Sequence, residues 1–132
     1  MKTVFTVGVF DILHYGHIKL LEHAKELGDK LVVAVQDGDY VTRYKPGTEM
    51  VNTTEERLFM VKSIRYVDEV TIYEDVDTIV KKINFDILAL GEDQNHAGFQ
   101  RAEQWCKDNG ISVVRLHRTP GVSSTQLRKI LK

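Results

Sequence analysis

The chain has little of several things that would assign it at once. Its single cysteine, Cys106, has no internal partner for a disulfide. No apolar stretch approaches the roughly 20 residues that cross a bilayer, and Met1-Lys2-Thr3-Val4-Phe5 lacks the length and cleavage site of a signal peptide. The cytoplasm is therefore the expected address. Neither sign of charge dominates: 18 Lys and Arg stand against 19 Asp and Glu, and no long run of one sign provides the footprint of a nucleic-acid binder. There is no Gly-x-Gly-x-x-Gly and no Gly-Lys-Ser or Gly-Lys-Thr, which disfavours a dinucleotide oxidoreductase or a P-loop enzyme. With 132 residues, 42% of them apolar, and no internal repeat, linker or low-complexity stretch, one core and a single domain over 1–132 are expected.

What is present alternates. Residues 3–9 are rich in β-branched side chains and end at a turn, and residues 16–26 place Ile18, Leu20, Leu21 and Ala24 at helical spacing. Gly28-Asp29 breaks that helix before the apolar run Leu31-Val32-Val33-Ala34-Val35, which reads as a strand covered on both faces. The segment from Gln36 to Asn52 has few large apolar residues and carries Gly38, Pro46 and Gly47, so it reads as a long loop. Thr53 and Glu56 have capping-box spacing and open a helix to about Ser63. A strand over 69–73, a helix from Asp75 through Ile83 and a strand over 85–90 follow. A helix over 99–109, a strand over 112–116 and a closing helix over 123–131 complete the pattern. This predicts an α/β fold, a Rossmann-like doubly wound domain with a five-stranded, mostly parallel sheet. Ligands in such sheets bind beyond the carboxyl ends of the strands, where strand order reverses.

The first strand-to-helix turn, Gly8-Val9-Phe10-Asp11-Ile12-Leu13-His14-Tyr15-Gly16-His17, holds two histidines three apart at a helix start. Free backbone N–H groups and the positive end of the helix dipole attract an anion there, and Gly8 and Gly16 allow a phosphate to approach the backbone. Two imidazoles add donors for phosphate oxygens, enough to promote nucleotidyl transfer by positioning and charge stabilisation. The plainer reading makes His14 a loop residue and His17 a solvated first-turn residue. The strand-turn-helix context favours chemistry.

A second anion site is suggested by Arg118-Thr119-Pro120-Gly121-Val122-Ser123-Ser124-Thr125, where Arg118 can bind phosphate and Ser123, Ser124 and Thr125 can contact it or cap a helix. Lys45, Arg57 and Arg65 are three further cations that could meet a charged substrate, although each alone reads as a surface charge. Arg65 could equally pair with Asp68 or a neighbouring subunit. In the loop Gly91-Glu92-Asp93-Gln94-Asn95-His96 the spacing specifies no metal site, and Asp93 or Glu92 could contact hydroxyl groups.

On the two segments Gly8 to His17 and Arg118 to Thr125, the chain resembles the cytidylyltransferase-like nucleotidyltransferase family over almost its full length. Residues 18–35 and Ser63-Ile64-Arg65-Tyr66-Val67-Asp68-Glu69-Val70 resemble its glycerol-3-phosphate branch in particular. The resemblance implies transfer of cytidylyl from CTP to a small phosphorylated alcohol, glycerol 3-phosphate first, with release of pyrophosphate assisted by Mg2+. It implies that His14 and His17 bind the triphosphate and stabilise the transition state, with Lys45 and Arg118 also in catalytic roles. Gly8, Val9, Phe10, Gly16, Thr119 and Ser123 to Thr125 would complete the nucleotide site, and Asp11, Lys45, Arg57, Arg65 and Asp93 would serve the acceptor. A homodimer and a role in teichoic-acid or capsule precursors are implied as well. The chain departs from that branch at Val9, at Pro46, and in the loop from Gly91 to Gly98, which lacks its tryptophan. Relatives with the same histidine turn use ATP, so an adenylyltransferase is the rival reading. A nucleotide-binding regulator without turnover is a third, disfavoured by the set His14, His17, Lys45 and Arg118.

Overall fold

The computed structural model describes residues 1–117. Its elements are β1 (Thr3–Gly8), α1 (Tyr15–Glu26), β2 (Lys30–Gln36), α2 (Gly38–Tyr44), α3 (Thr54–Lys62), β3 (Glu69–Tyr73), α4 (Val76–Ile79), β4 (Ile87–Gly91), α5 (Ala97–Asp108) and β5 (Ser112–Leu116). The strands form one sheet in the order β3-β2-β1-β4-β5, and every pair is parallel. The expected α/β architecture of five strands is present.

Strand alternation builds a core on each face. Phe5, Val7, Val32, Ala34 and Leu88 pack with Val76, Ile79 and Val80 of the α4 region and with Phe99, Ala102 and Cys106 of α5. Val4, Leu31, Val33, Val35 and Ala89 pack on the other side with Leu21 and Ala24 of α1 and Val61 of α3. The apolar run in β2 is thus explained by burial from both sides.

Two elements differ from the sequence reading. The segment taken as a loop contains α2: Asp37 caps it by accepting from the Tyr40 amide at 3.3 Å, and Val41 is its one buried side chain. One apolar anchor in seven residues leaves no periodicity to read. The helix expected from Asp75 through Ile83 stops after Ile79, and the chain continues through tighter turns in which the amides of Lys81 and Lys82 donate to the carbonyls of Thr78 and Ile79. The closing helix expected over 123–131 lies outside the described residues.

The sheet reverses its winding between β1 and β4, and that seam is short. β1 pairs with β2 along its whole length, from Thr3 to Gly8, whereas with β4 it pairs only at Val4↔Ile87 and Phe5↔Leu88. Just beyond, the buried Thr6 hydroxyl donates to the Ala89 carbonyl at 2.7 Å. The strands then part at their carboxyl ends, which opens a cleft where ligands bind in such sheets. Replacing Thr6 with valine keeps the shape but strips a buried carbonyl of its donor, so we predict a loss of about 1–2 kcal/mol in urea denaturation. An unchanged midpoint would show that the hydroxyl does not hold the seam.

Candidate nucleotide-binding site

The turn leaving β1 is folded back on itself. Phe10 has φ 53, in the left-handed region that a bulky residue enters only at a cost of about 1–2 kcal/mol. Its ring is buried and covers Gly8, where a Cβ would lie 2.7 Å from the ring atoms. That contact explains the glycine. The far side of the same ring meets His17 edge-on, with centroids 5.3 Å apart.

His14 and His17 cap α1 as a reciprocal pair. The Gly16 amide donates to His14 Nδ1 at 3.0 Å, and the His14 amide donates to His17 Nδ1 at 3.3 Å, which is a capping box built from imidazoles. The rings stack with centroids 3.9 Å apart and 23° between planes. Because each Nδ1 accepts a backbone proton, the proton of each neutral ring sits on Nε2, and both rings become donors at that atom. Burial, and secondarily the neighbouring His14, pull the His17 pKa down to about 4, so His17 is neutral at physiological pH. The first turn of α1 contains no acidic residue to oppose an anion.

Two residues expected to touch the acceptor frame this turn. The carboxylate of Asp11, 1% exposed, accepts from the amides of Val51 at 2.9 Å and Asn52 at 2.8 Å, and Asn52 Nδ2 donates to the Asp11 carbonyl. Arg57 was read as a possible surface charge, yet it is 0% exposed. Its Nη1 donates to the carbonyls of Val9 at 2.8 Å and Gln36 at 2.7 Å, Nη2 to Thr54 Oγ1 at 3.1 Å, and Nε to the Asn52 carbonyl at 3.4 Å. Burial lowers its pKa, and the carboxylates of Asp11 and Asp37 oppose that shift by favouring the charge. Arg57 ties the ends of β1 and β2 to the loop before α3, and its guanidinium is committed to the fold. Arg65 is exposed, lies against the Tyr66 ring and donates to the Tyr66 hydroxyl at 3.1 Å. Its expected partner Asp68 is bound by Lys25 at 2.5 Å and by the Leu31 amide at 2.7 Å.

A cavity of about 1000 Å³ occupies the carboxyl end of the sheet. Gly8, Val9, Phe10, Asp11, His14, Gly16, His17, Lys45 and Asp93 all line it, so most of the expected residues converge; Arg57 and Arg65 do not line it. Arg118, Thr119, Ser123, Ser124 and Thr125 lie outside the described residues. Lys45 arrives at the C-cap of α2, with Nζ 5.8 Å from the centre of the Tyr44 ring. No group of three or more His, Cys, Asp or Glu gathers a metal site among the described residues.

The opposite wall carries Gln94 and His96 of the expected substrate loop from Gly91 to Gly98, together with Tyr40, Tyr44, Tyr73 and Arg101, which the sequence did not suggest. Helix α2 is latched there by Tyr40 to Asp75, by Arg43 to Glu74 at 2.9 Å, and by the Tyr44 hydroxyl donating to Gln36 Oε1 at 3.2 Å. The Asp75 hydrogen bond, above all, raises the Tyr40 pKa to about 12. His96 repeats the architecture of His14. It caps α5 by accepting from the Gly98 amide at 3.1 Å, and its ring packs on Phe99 with centroids 4.5 Å apart. The legible signal was the recurrence of His-x-Gly, in His14-Tyr15-Gly16 and His96-Ala97-Gly98, each at a helix start.

The sequence model of the cytidylyltransferase-like family matches residues 5–130. The chain belongs to that family. It is 37% identical to a glycerol-3-phosphate cytidylyltransferase of Bacillus subtilis (strain 168) over 132 residues, covering 98% of this chain and 96% of the relative. It is also 47% identical to an FAD synthase of Thermococcus kodakarensis over 119 residues, covering 86% of this chain and 78% of the relative. Among solved structures, a lipopolysaccharide core biosynthesis protein from Thermoplasma volcanium superposes with a TM-score of 0.72 at 31% identity, covering 90% of this chain and 97% of that one. The named relatives are nucleotidyltransferases, so this member of the family is an enzyme of that class.

Two outcomes follow from the geometry. Arg57→Met strands several buried carbonyls and should cost at least about 3 kcal/mol in chemical denaturation, with Arg57→Lys recovering only part; a loss under about 1 kcal/mol would remove Arg57 from this framing role. For His17, the folded pKa lies below the unfolded value of 6.5, so the stability it contributes is complete above pH 6.5 and lost as pH falls toward 4. The wild type should lose up to about 3 kcal/mol more than His17→Gln across that window, and parallel pH–stability curves would contradict a neutral, part-buried His17.

Proposed function

We propose that the protein transfers a cytidylyl group from CTP to a small phosphorylated alcohol, glycerol 3-phosphate first, releasing pyrophosphate. The observation that carries this reading is the stacked pair His14 and His17, oriented by the α1 backbone with their protons on Nε2, beside a cleft large enough for a nucleotide. Imidazole donors can follow charge as it grows on the phosphoryl oxygens, and Lys45 supplies a cation lining the same cavity. In the transfer, an oxygen of the acceptor phosphate attacks the α-phosphorus, the bond to the β-phosphate oxygen breaks, and pyrophosphate leaves. Magnesium enters as part of the triphosphate substrate. Near-complete coverage of the glycerol-3-phosphate cytidylyltransferase from Bacillus subtilis supports the choice of acceptor.

A second reading, adenylyl transfer from ATP to FMN, has its own support. The wall formed by Tyr40, Tyr44 and Tyr73 is aromatic, and it suits a flat ring system better than a three-carbon chain. The FAD synthase from Thermococcus kodakarensis is 47% identical to this chain.

Pyrophosphate release with CTP and ATP, each crossed against glycerol 3-phosphate and FMN, separates the readings. Turnover with CTP and glycerol 3-phosphate is expected; turnover confined to ATP and FMN would replace the first reading with the second, and none on any pair would favour a regulator. In the productive pair, His17→Ala should lower kcat about a hundredfold or more with little rise in KM, because the imidazole acts on transition-state charge. Near-normal kcat in that variant would sink the mechanism.

A further inference from the structure

We propose that Gln94 is a positioning residue, a side-chain strut that fixes the separation between the two halves of the cleft. Main-chain pairing across the seam ends at Phe5↔Leu88, while each of the two strands stays paired with its outer neighbour to the tip. Past that point the width of the opening is set by other groups. Gln94 Nε2 donates to the Val7 carbonyl at 2.9 Å, and Gln94 Oε1 accepts from the Gly91 amide at 2.8 Å. One primary amide therefore presents a donor to β1 and an acceptor to β4, as a peptide group of an intervening strand would.

The strut is itself braced. Arg115 Nη1 donates to the carbonyls of Gly91 at 2.9 Å and Gln94 at 2.6 Å, and its Nη2 donates to Glu103 on α5 at 2.7 Å. The Gln94 amide also donates to the Gly91 carbonyl at 3.2 Å. Val7 directly precedes Gly8 and the histidine turn, and Gly91 lies two residues before Asp93. The span between those two walls thus depends on the length of one glutamine. Of the near-isosteric residues, ionised glutamate keeps only the acceptor and methionine keeps neither group.

The catalytic part of this inference rests on the nucleotidyl-transfer reading; the structural part does not. The test compares wild type, Gln94→Met and Gln94→Glu by three readouts: hydrogen exchange at the Gly91 amide, CTP and ATP affinity by calorimetry, and kcat on the productive pair. Gln94→Met should speed Gly91 exchange at least about tenfold, whereas Gln94→Glu should leave that amide protected. In both variants kcat should fall about a hundredfold, since misplacement by an ångström is enough for that. Nucleotide Kd should stay within about threefold of wild type, because no direct ligand contact is removed. Unchanged Gly91 exchange in Gln94→Met, or kcat within about threefold of wild type in both variants, overturns the proposal. So does a Kd that rises in step with the loss of kcat, which would make Gln94 a ligand contact. If the wild type turns over no pair, the reaction reading fails while the Gly91 exchange still decides whether the strut exists.

Discussion

A guanidinium sealed from solvent is the constraint on which the rest of this structure depends. Arg57 gathers carbonyls from the end of β1, the end of β2 and the loop before α3, three segments that share no ladder with one another at that point. A planar fork of five donors lets one side chain make four hydrogen bonds, one more than the three N–H groups of a lysine allow. Asp11 performs the complementary task, accepting amides where Arg57 donates to carbonyls. Between them they hold the turn in which Phe10 takes its strained backbone and His14 begins α1. Desolvating a charge is expensive, and here the outlay is offset by four hydrogen bonds that fix loop ends which water would otherwise solvate in many arrangements.

From that frame the chemistry follows by short steps. The turn delivers His14 to the N-cap of α1, the capping box fixes both imidazoles, and stacking with Phe10 behind them buries His17 enough to keep it neutral. Main-chain amides hold the Nδ1 atoms of both rings. The opposite wall of the cavity is organised differently: side-chain pairs between α2 and the β3–α4 turn, and the bracing of Arg115, hold it in place.

The parts legible in the sequence were those written in periodicity or in capping chemistry. β2 declared itself through an unbroken apolar run, α3 through Thr53 and Glu56, and the histidine turn through its place between strand and helix. The parts that were not legible depend on contacts far apart in the chain. Arg57 looks like any helical surface arginine until the fold brings Val9 and Gln36 to it, and nothing near Asp11 in the chain shows that its carboxylate holds the amides of Val51 and Asn52, 40 and 41 residues away. Helix α2 escaped because a single buried valine carries no period. His96 was legible as part of a polar substrate loop, but its capping role, which its His-x-Gly spacing shares with His14, was not.

The imidazole capping box has a consequence for how the protein would lose activity on heating. Helix ends fray before helices melt, because the first turn is held by few bonds. In this enzyme the bonds that hold the first turn of α1 are the same bonds that aim the two rings. A brief opening of that one turn therefore loses the alignment of the two rings without requiring the sheet or either core to open. On the proposed function, inactivation and unfolding would be separate events, and the local stability of a single helical turn would set the lifetime of the working site.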